Sequence, residues 1–157
     1  MVVKSRDLLA FFLVIALSGG CTTWSEVSEA TSDLENEFKK KLSGVVLVGY
    51  FSVAENKDLH EEKYTIKSVS KLATGLWLFK VRIQYGSHDL TVPLPLNVKW
   101  AGDTPVITLT DFSVPGLGKY TARVLIYQDQ YAGTWSGKDI GGHLFGRIVR
   151  EEKLVDS

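Results

Sequence analysis

Few side chains in this sequence combine the type and the spacing needed for chemistry. The richest neighbourhood surrounds His143, with Asp139, Arg147 and Tyr131 close by in the chain. A His–Asp couple is a general base. Ser136 is the nearest hydroxyl, but nothing in the spacing orients it as a nucleophile, so an enzyme using His143 is the weakest reading and a structural hydrogen bond the simplest one. His60 and His88 fall in charged turns beside Asp58 and Asp89. With His143 they supply three imidazoles, but no spacing demands that they meet as a metal site, and the expectation is no metal. Glu61 and Glu62 have the charge of a glycosidase pair. Neighbours on a strand point to opposite faces, so one pocket does not take both. The glycines after Trp135 lack the strand–turn–helix setting of a phosphate loop. The expectation is therefore no enzyme, no catalytic residue and no cofactor.

The aromatic set is the better guide to binding. Trp77, Phe79, Tyr85, Trp100, Tyr131, Trp135 and Phe145 are bulky enough to fill a small interior, or to line an opening as an apolar pocket with polar handles. The candidate ligand-binding residues are Trp77, Tyr85, Trp100, Tyr131 and Trp135, with His143 and Arg147 as the polar members.

These residues must be positioned by a single domain. The chain has 157 residues, 45% apolar and 23% charged, which is globular composition. Eighteen basic residues balance eighteen acidic ones, which argues against nucleic acid as a partner. Residues 25–42 place Val27, Ala30, Leu34, Phe38 and Leu42 near one face, with acids first and lysines last, as a helix dipole favours. Glu35–Lys39 and Glu37–Lys41 are favourable i,i+4 pairs. This predicts a helix over 28–42 behind a polar tether at 22–28, packed on the sheet or covering one opening.

From Val45 the period switches to two. Eight strands are predicted, over 45–54, 63–70, 76–85, 90–100, 106–110, 119–128, 131–136 and 143–150. Gly49 suggests a bulge or sharp bend in the first. The third alternates most cleanly, with Trp77, Phe79, Val81, Ile83 and Tyr85 on one side. In the fourth, Pro93 and Pro95 remove two ladder donors pointing the same way, which places it at a sheet edge or an opened seam where a partner strand could add. Asp103, Asp111 and Asp129 border turns. Eight short strands with tight turns and no second helix form a meander that must hide its edges. The prediction is a mainly β fold, an eight-stranded antiparallel barrel over 44–150, with a two-sheet sandwich as the alternative.

The first twenty residues read as an export signal: Lys4 and Arg6, then ten apolar residues at 8–17, then Ser18, Gly19 and Gly20. The apolar run is too short to span a membrane as a helix. Cys21, the only thiol, follows at once. The stretch LSGGC, residues 17–21, resembles the lipobox of bacterial lipoproteins, with Ser18 in the slot that family usually fills with an aliphatic residue. The resemblance implies diacylation of the Cys21 thiol, removal of residues 1–20, and a lipid anchor in the cell envelope. Acylation would also dispose of an unpaired thiol in an oxidising compartment. Thr22, where an Asp would signal inner-membrane retention, implies the outer membrane. Without residues 1–20 the chain carries sixteen basic against seventeen acidic side chains.

The hairpin region YAGTWSGKDIGGHLFGRI, residues 131–148, with its G-x-W and G-x-x-x-G spacings, resembles small bacterial lipocalin-like barrels of the calycin type. Where the usual lipocalin opening has G-x-W, this chain has Gly49-Tyr50-Phe51. The resemblance implies a barrel that holds a small apolar ligand or is merely structural. The sequence thus points to a lipid-anchored envelope protein, non-enzymatic, with a barrel over 44–150 behind a tether and helix at 21–43 and ahead of a polar tail at 151–157. Its partners are the membrane, through the anchor, and a small apolar ligand. The alternative is a fully packed barrel that serves structure or binds an envelope protein.

Overall fold

The structure is a computed structural model that describes residues 24–53, 58–114 and 118–151. The side chains of residues 24–28 and of Tyr85 lie outside that description, as do the export signal, Cys21 and the tail from 152. The element order is α1 (Trp24–Leu42), β1 (Val45–Ser52), β2 (Leu59–Ala73), β3 (Leu76–Tyr85), β4 (His88–Ala101), β5 (Thr104–Val114), β6 (Gly118–Tyr127), β7 (Gln130–Ser136) and β8 (Gly141–Arg150). Every strand pairs antiparallel with its neighbour in sequence, and β1 pairs with β8, so the sheet closes on itself. The result is a mainly β, eight-stranded antiparallel barrel preceded by one helix, as the alternation predicts, and not a sandwich. Its up-and-down closure is consistent with a lipocalin-like calycin fold.

Helix α1 begins at Trp24, so part of the expected tether is helical. Glu26 and Glu29 fall in its early turns, where acids offset the dipole. Its last two turns plug one end of the barrel. Phe38 and Leu42 are fully buried there, and the Phe38 ring meets Trp77, Phe79 and Trp100 edge-on at 5.1, 6.1 and 5.6 Å. Gly44, at φ +68°, turns the chain from helix to strand. Arg150 donates to the carbonyl of Ser43 at 3.0 Å, Glu35 pairs with Lys71 of β2, and the amide of Val69 donates to Ser43 Oγ. The plug is thus tied to β2 and β8.

Two strands that run longer than expected carry bulges that interrupt their alternation. In β2 the register shifts between Ile66 and Ser68, so the buried set changes from Glu62 and Ile66 to Val69. In β5 it shifts between Leu109 and Phe112, where Asp111 adopts φ 47°. Asp111 therefore sits at a bulge inside a strand, not beside a turn. Side chains of β6 satisfy the freed groups: Thr121 Oγ1 accepts the Asp111 amide at 3.0 Å, and Arg123 donates to the Leu109 carbonyl at 2.6 Å. Gly49, by contrast, is no bulge; its ladders to β2 and β8 run without a shift.

The prolines mark an opened seam. β4 pairs with β3 from Tyr85↔His88 to Leu76↔Asn97 but with β5 only from Asn97↔Thr108 to Ala101↔Thr104. Val98 donates its amide to Gly75 on the β3 side. Amide direction alternates along a strand, so positions 97, 95 and 93 face β5. Pro93 and Pro95 thus remove donors from the stretch where the β4–β5 ladder has ended.

Candidate functional site

The barrel interior is not filled. A cavity of about 360 Å³ lies inside the sheet. The sequence contains enough aromatic volume to close it, but the fold sends that volume to the two ends. Trp77, Phe79 and Trp100 gather round Phe38 at the plugged end. At the other end Phe51 meets Trp135 at 5.8 Å, and Tyr120 stands 6.4 Å from the same ring. Trp135 Nε1 donates to the carbonyl of Ser52 at 3.1 Å, which fixes the indole across the β1–β2 end of the mouth. Between the two ends the wall is aliphatic, from residues such as Leu47, Ile83, Leu94 and Val124. These chains are too short to meet across eight strands. Val53 and the half-exposed Ile140 line the cavity beside the turns of the unplugged end.

One carboxylate stands in this wall. Glu62 is 4% exposed. Its Oε2 accepts the hydroxyl of Tyr64 at 2.6 Å, and its Oε1 accepts the hydroxyl of Tyr131 at 3.0 Å. The second contact crosses the sheet. Glu62 pairs with Gly49, Gly49 with Gly146, and Gly146 with Tyr131, on β2, β1, β8 and β7 in turn. The two middle positions have no side chain, so the Tyr131 ring lies over them. A Cβ at Gly146 would come within 2.7 Å of Tyr131 Cε1, and one at Gly49 would strike the Tyr131 hydroxyl and the Phe145 carbonyl. The glycines are there for close approach.

Burial raises the Glu62 carboxyl above its ordinary range, and the hydrogen bonds from Tyr64 and Tyr131 oppose that shift without cancelling it. Burial, then the neighbouring Glu62, also push the Tyr131 phenol well up, so it remains a donor at all ordinary pH.

The residues singled out from sequence separate. Tyr131 and Trp135 line the cavity. Trp77 and Trp100 pack on Phe38 in the plugged end, and Trp77 Nε1 has no hydrogen-bond partner. His143 and Arg147 point to the outer face, since Leu144 and Ile148 take the inward positions of β8. The Tyr85 side chain lies outside the described residues. His143 offers only its backbone amide, to Ser52 Oγ, and Asp139 lies beside Lys138 in an exposed turn. His60 and His88 stand in β2 and β4 rather than in turns. His60 stacks on Phe51 at 5.1 Å, while Asp89, next to His88, is gripped by Arg82 at 2.8 and 2.6 Å, which holds its carboxyl below the usual range. Among the described residues no three His, Cys, Asp or Glu side chains gather as a metal site. Glu61 and Glu62 do take opposite faces, one exposed and one buried. The residue that sequence reasoning passed over is Glu62 itself. Its signal was an inward phase shared with Tyr64 and Ile66.

Compared with known proteins, the chain matches no family model, no curated protein and no solved structure.

Proposed function

We propose that this chain is a lipid-anchored protein of the bacterial cell envelope that holds a small apolar molecule inside its barrel and catalyses no reaction. The cavity carries the reading: about 360 Å³, walled by aliphatic and aromatic side chains and furnished with a few polar groups, chief among them Glu62 with its two tyrosines. Apolar walls with a few placed polar groups are the usual make-up of a ligand pocket. Support for the anchor comes from the sequence alone, from the apolar run at 8–17, the small residues after it and Cys21.

Titration of the purified barrel with decanol, followed through the fluorescence of Trp135 and its neighbours and by calorimetry, tests the binding reading. Saturable one-to-one uptake is expected; no uptake, together with no small molecule co-purifying in native mass spectrometry, would refute it. Metabolic labelling with palmitate tests the anchor. Incorporation is expected in the wild type and lost in Cys21→Ser.

A second reading, a protein partner, draws on the outer face. Tyr50, Phe145, Ala132 and Leu125 pair in register across β1, β8, β7 and β6, all exposed and all apolar. Such a row is a contact surface for another envelope component. Crosslinking in the intact envelope should then be lost in Tyr50→Ser/Phe145→Ser with the barrel still folded.

A further inference from the structure

The cavity wall is mostly apolar, and the one acidic side chain in it, Glu62, has no cationic side chain beside it among the described residues. Glu62 lines the cavity, and no Lys, Arg or His does so among the described residues. Its two neighbours are phenols that both donate to it, one on each carboxylate oxygen. An ionised carboxylate has about four acceptor positions, so each oxygen keeps one in reserve. What Glu62 lacks is a further donor carrying charge. A hard divalent cation does not meet that need, because it requires about six oxygen ligands and the wall supplies one acidic group. A ligand carboxylate would set two acids together in an apolar surrounding, which is costly for both. A neutral hydroxyl would add one uncharged bond. A protonated amine adds charge-assisted hydrogen bonds where the local dielectric is low.

We infer that the cavity takes an apolar molecule ending in a protonated amine, its ammonium seated on Glu62 between Tyr64 and Tyr131 and its body against the aliphatic wall. This rests on the ligand-binding reading and names its chemical class. A cavity of about 360 Å³ has room for a ten-carbon chain with its head group.

The test compares decylamine, decanol and decanoate below their micellar concentrations, near neutral pH, by calorimetry with the intact barrel. Decylamine is expected to bind at least ten-fold more tightly than decanol, with decanoate the weakest. In Glu62→Gln the amine should lose that lead while decanol binds as before. In Tyr131→Phe, which keeps the carboxylate, the lead should persist. Equal binding of the three, a preference for decanoate, or an amine preference that survives Glu62→Gln would overturn the amine assignment and leave the cavity reading standing. Binding of none of them would overturn both. The wild-type ranking decides the matter by itself if Glu62→Gln does not fold.

Discussion

The Glu62 carboxyl binds its proton more tightly in the folded barrel than in the unfolded chain, because burial raises its pKa above the ordinary 4.5 and the two tyrosine bonds only partly oppose it. A group shifted in that direction supports the fold most fully below its unfolded pKa, and that support disappears as pH rises through the folded value. Near neutrality the ionised form is therefore a liability. Glu62→Gln is expected to be at least as stable as the wild type in urea unfolding at about pH 7, and to lose that standing at about pH 4. A wild type clearly more stable at neutral pH would contradict the account. The row Glu62–Gly49–Gly146–Tyr131 makes a second demand at the same scale. Gly49→Ala places a methyl against the Phe145 carbonyl and the Tyr131 hydroxyl, neither of which is the free end of a flexible chain. The expected loss is about 1–3 kcal/mol, the usual cost of overpacking, read from the shift of the unfolding midpoint. Of this row only Tyr131 stands out in sequence, as a candidate ligand-binding residue. Gly49 reads as a bulge and Glu62 as half of a rejected acid pair, because what joins them to Tyr131 is a set of pairings between residues up to 97 positions apart, at Gly49↔Gly146 and Glu62–Tyr131, that alternation within one strand does not encode.

At the scale of elements, the helix and the fourth strand govern access to the interior. Helix α1 closes one end through Phe38 and Leu42, and the opposite end carries the aromatic rim. On the rim side, β4 and β5 part above the pair Asn97↔Thr108, and Pro93 and Pro95 deprive β4 of donors along the gap. An unpaired strand edge is a template for association, and proline is one way of blunting it. The prolines therefore oppose the added partner strand that an open edge would otherwise invite. Restoring both donors with Pro93→Val/Pro95→Val is expected to make the edge competent to pair and the protein self-associate, as a concentration-dependent rise in sedimentation coefficient. A double variant that stays monomeric over the whole concentration range would show that the edge is guarded by something else. The seam was legible beforehand, since two prolines at i and i+2 remove donors on the same side whatever the fold. Bulges were not, and the one between Leu109 and Phe112 is why β5 was expected to stop short of Val114.

At the scale of the whole molecule, the cavity follows from where the large rings went. Rings at both ends and branched aliphatic chains between them leave about 360 Å³ in the middle. Filling it should trade binding for packing. Val81 faces inward from β3 and is 5% exposed, and Val81→Phe is expected to abolish decanol uptake while keeping the melting temperature within a few degrees of the wild type, because the added ring enters existing space instead of displacing neighbours. Undiminished uptake would place the ligand elsewhere. The sequence by itself determined the antiparallel strands, their count and the helix ahead of them, because alternation of apolar and polar side chains with turn residues between them is a local pattern; it favoured closure but left a two-sheet sandwich open, and the pairing of β1 with β8 decided for the barrel. Only the tertiary structure decided whether the interior is filled and which charged group faces it. Both depend on the stagger of the strands, which sets Tyr131 level with Glu62 across two glycines and sends Trp77 and Trp100 to the plug, and that stagger is a property of the closed sheet and not of any one strand.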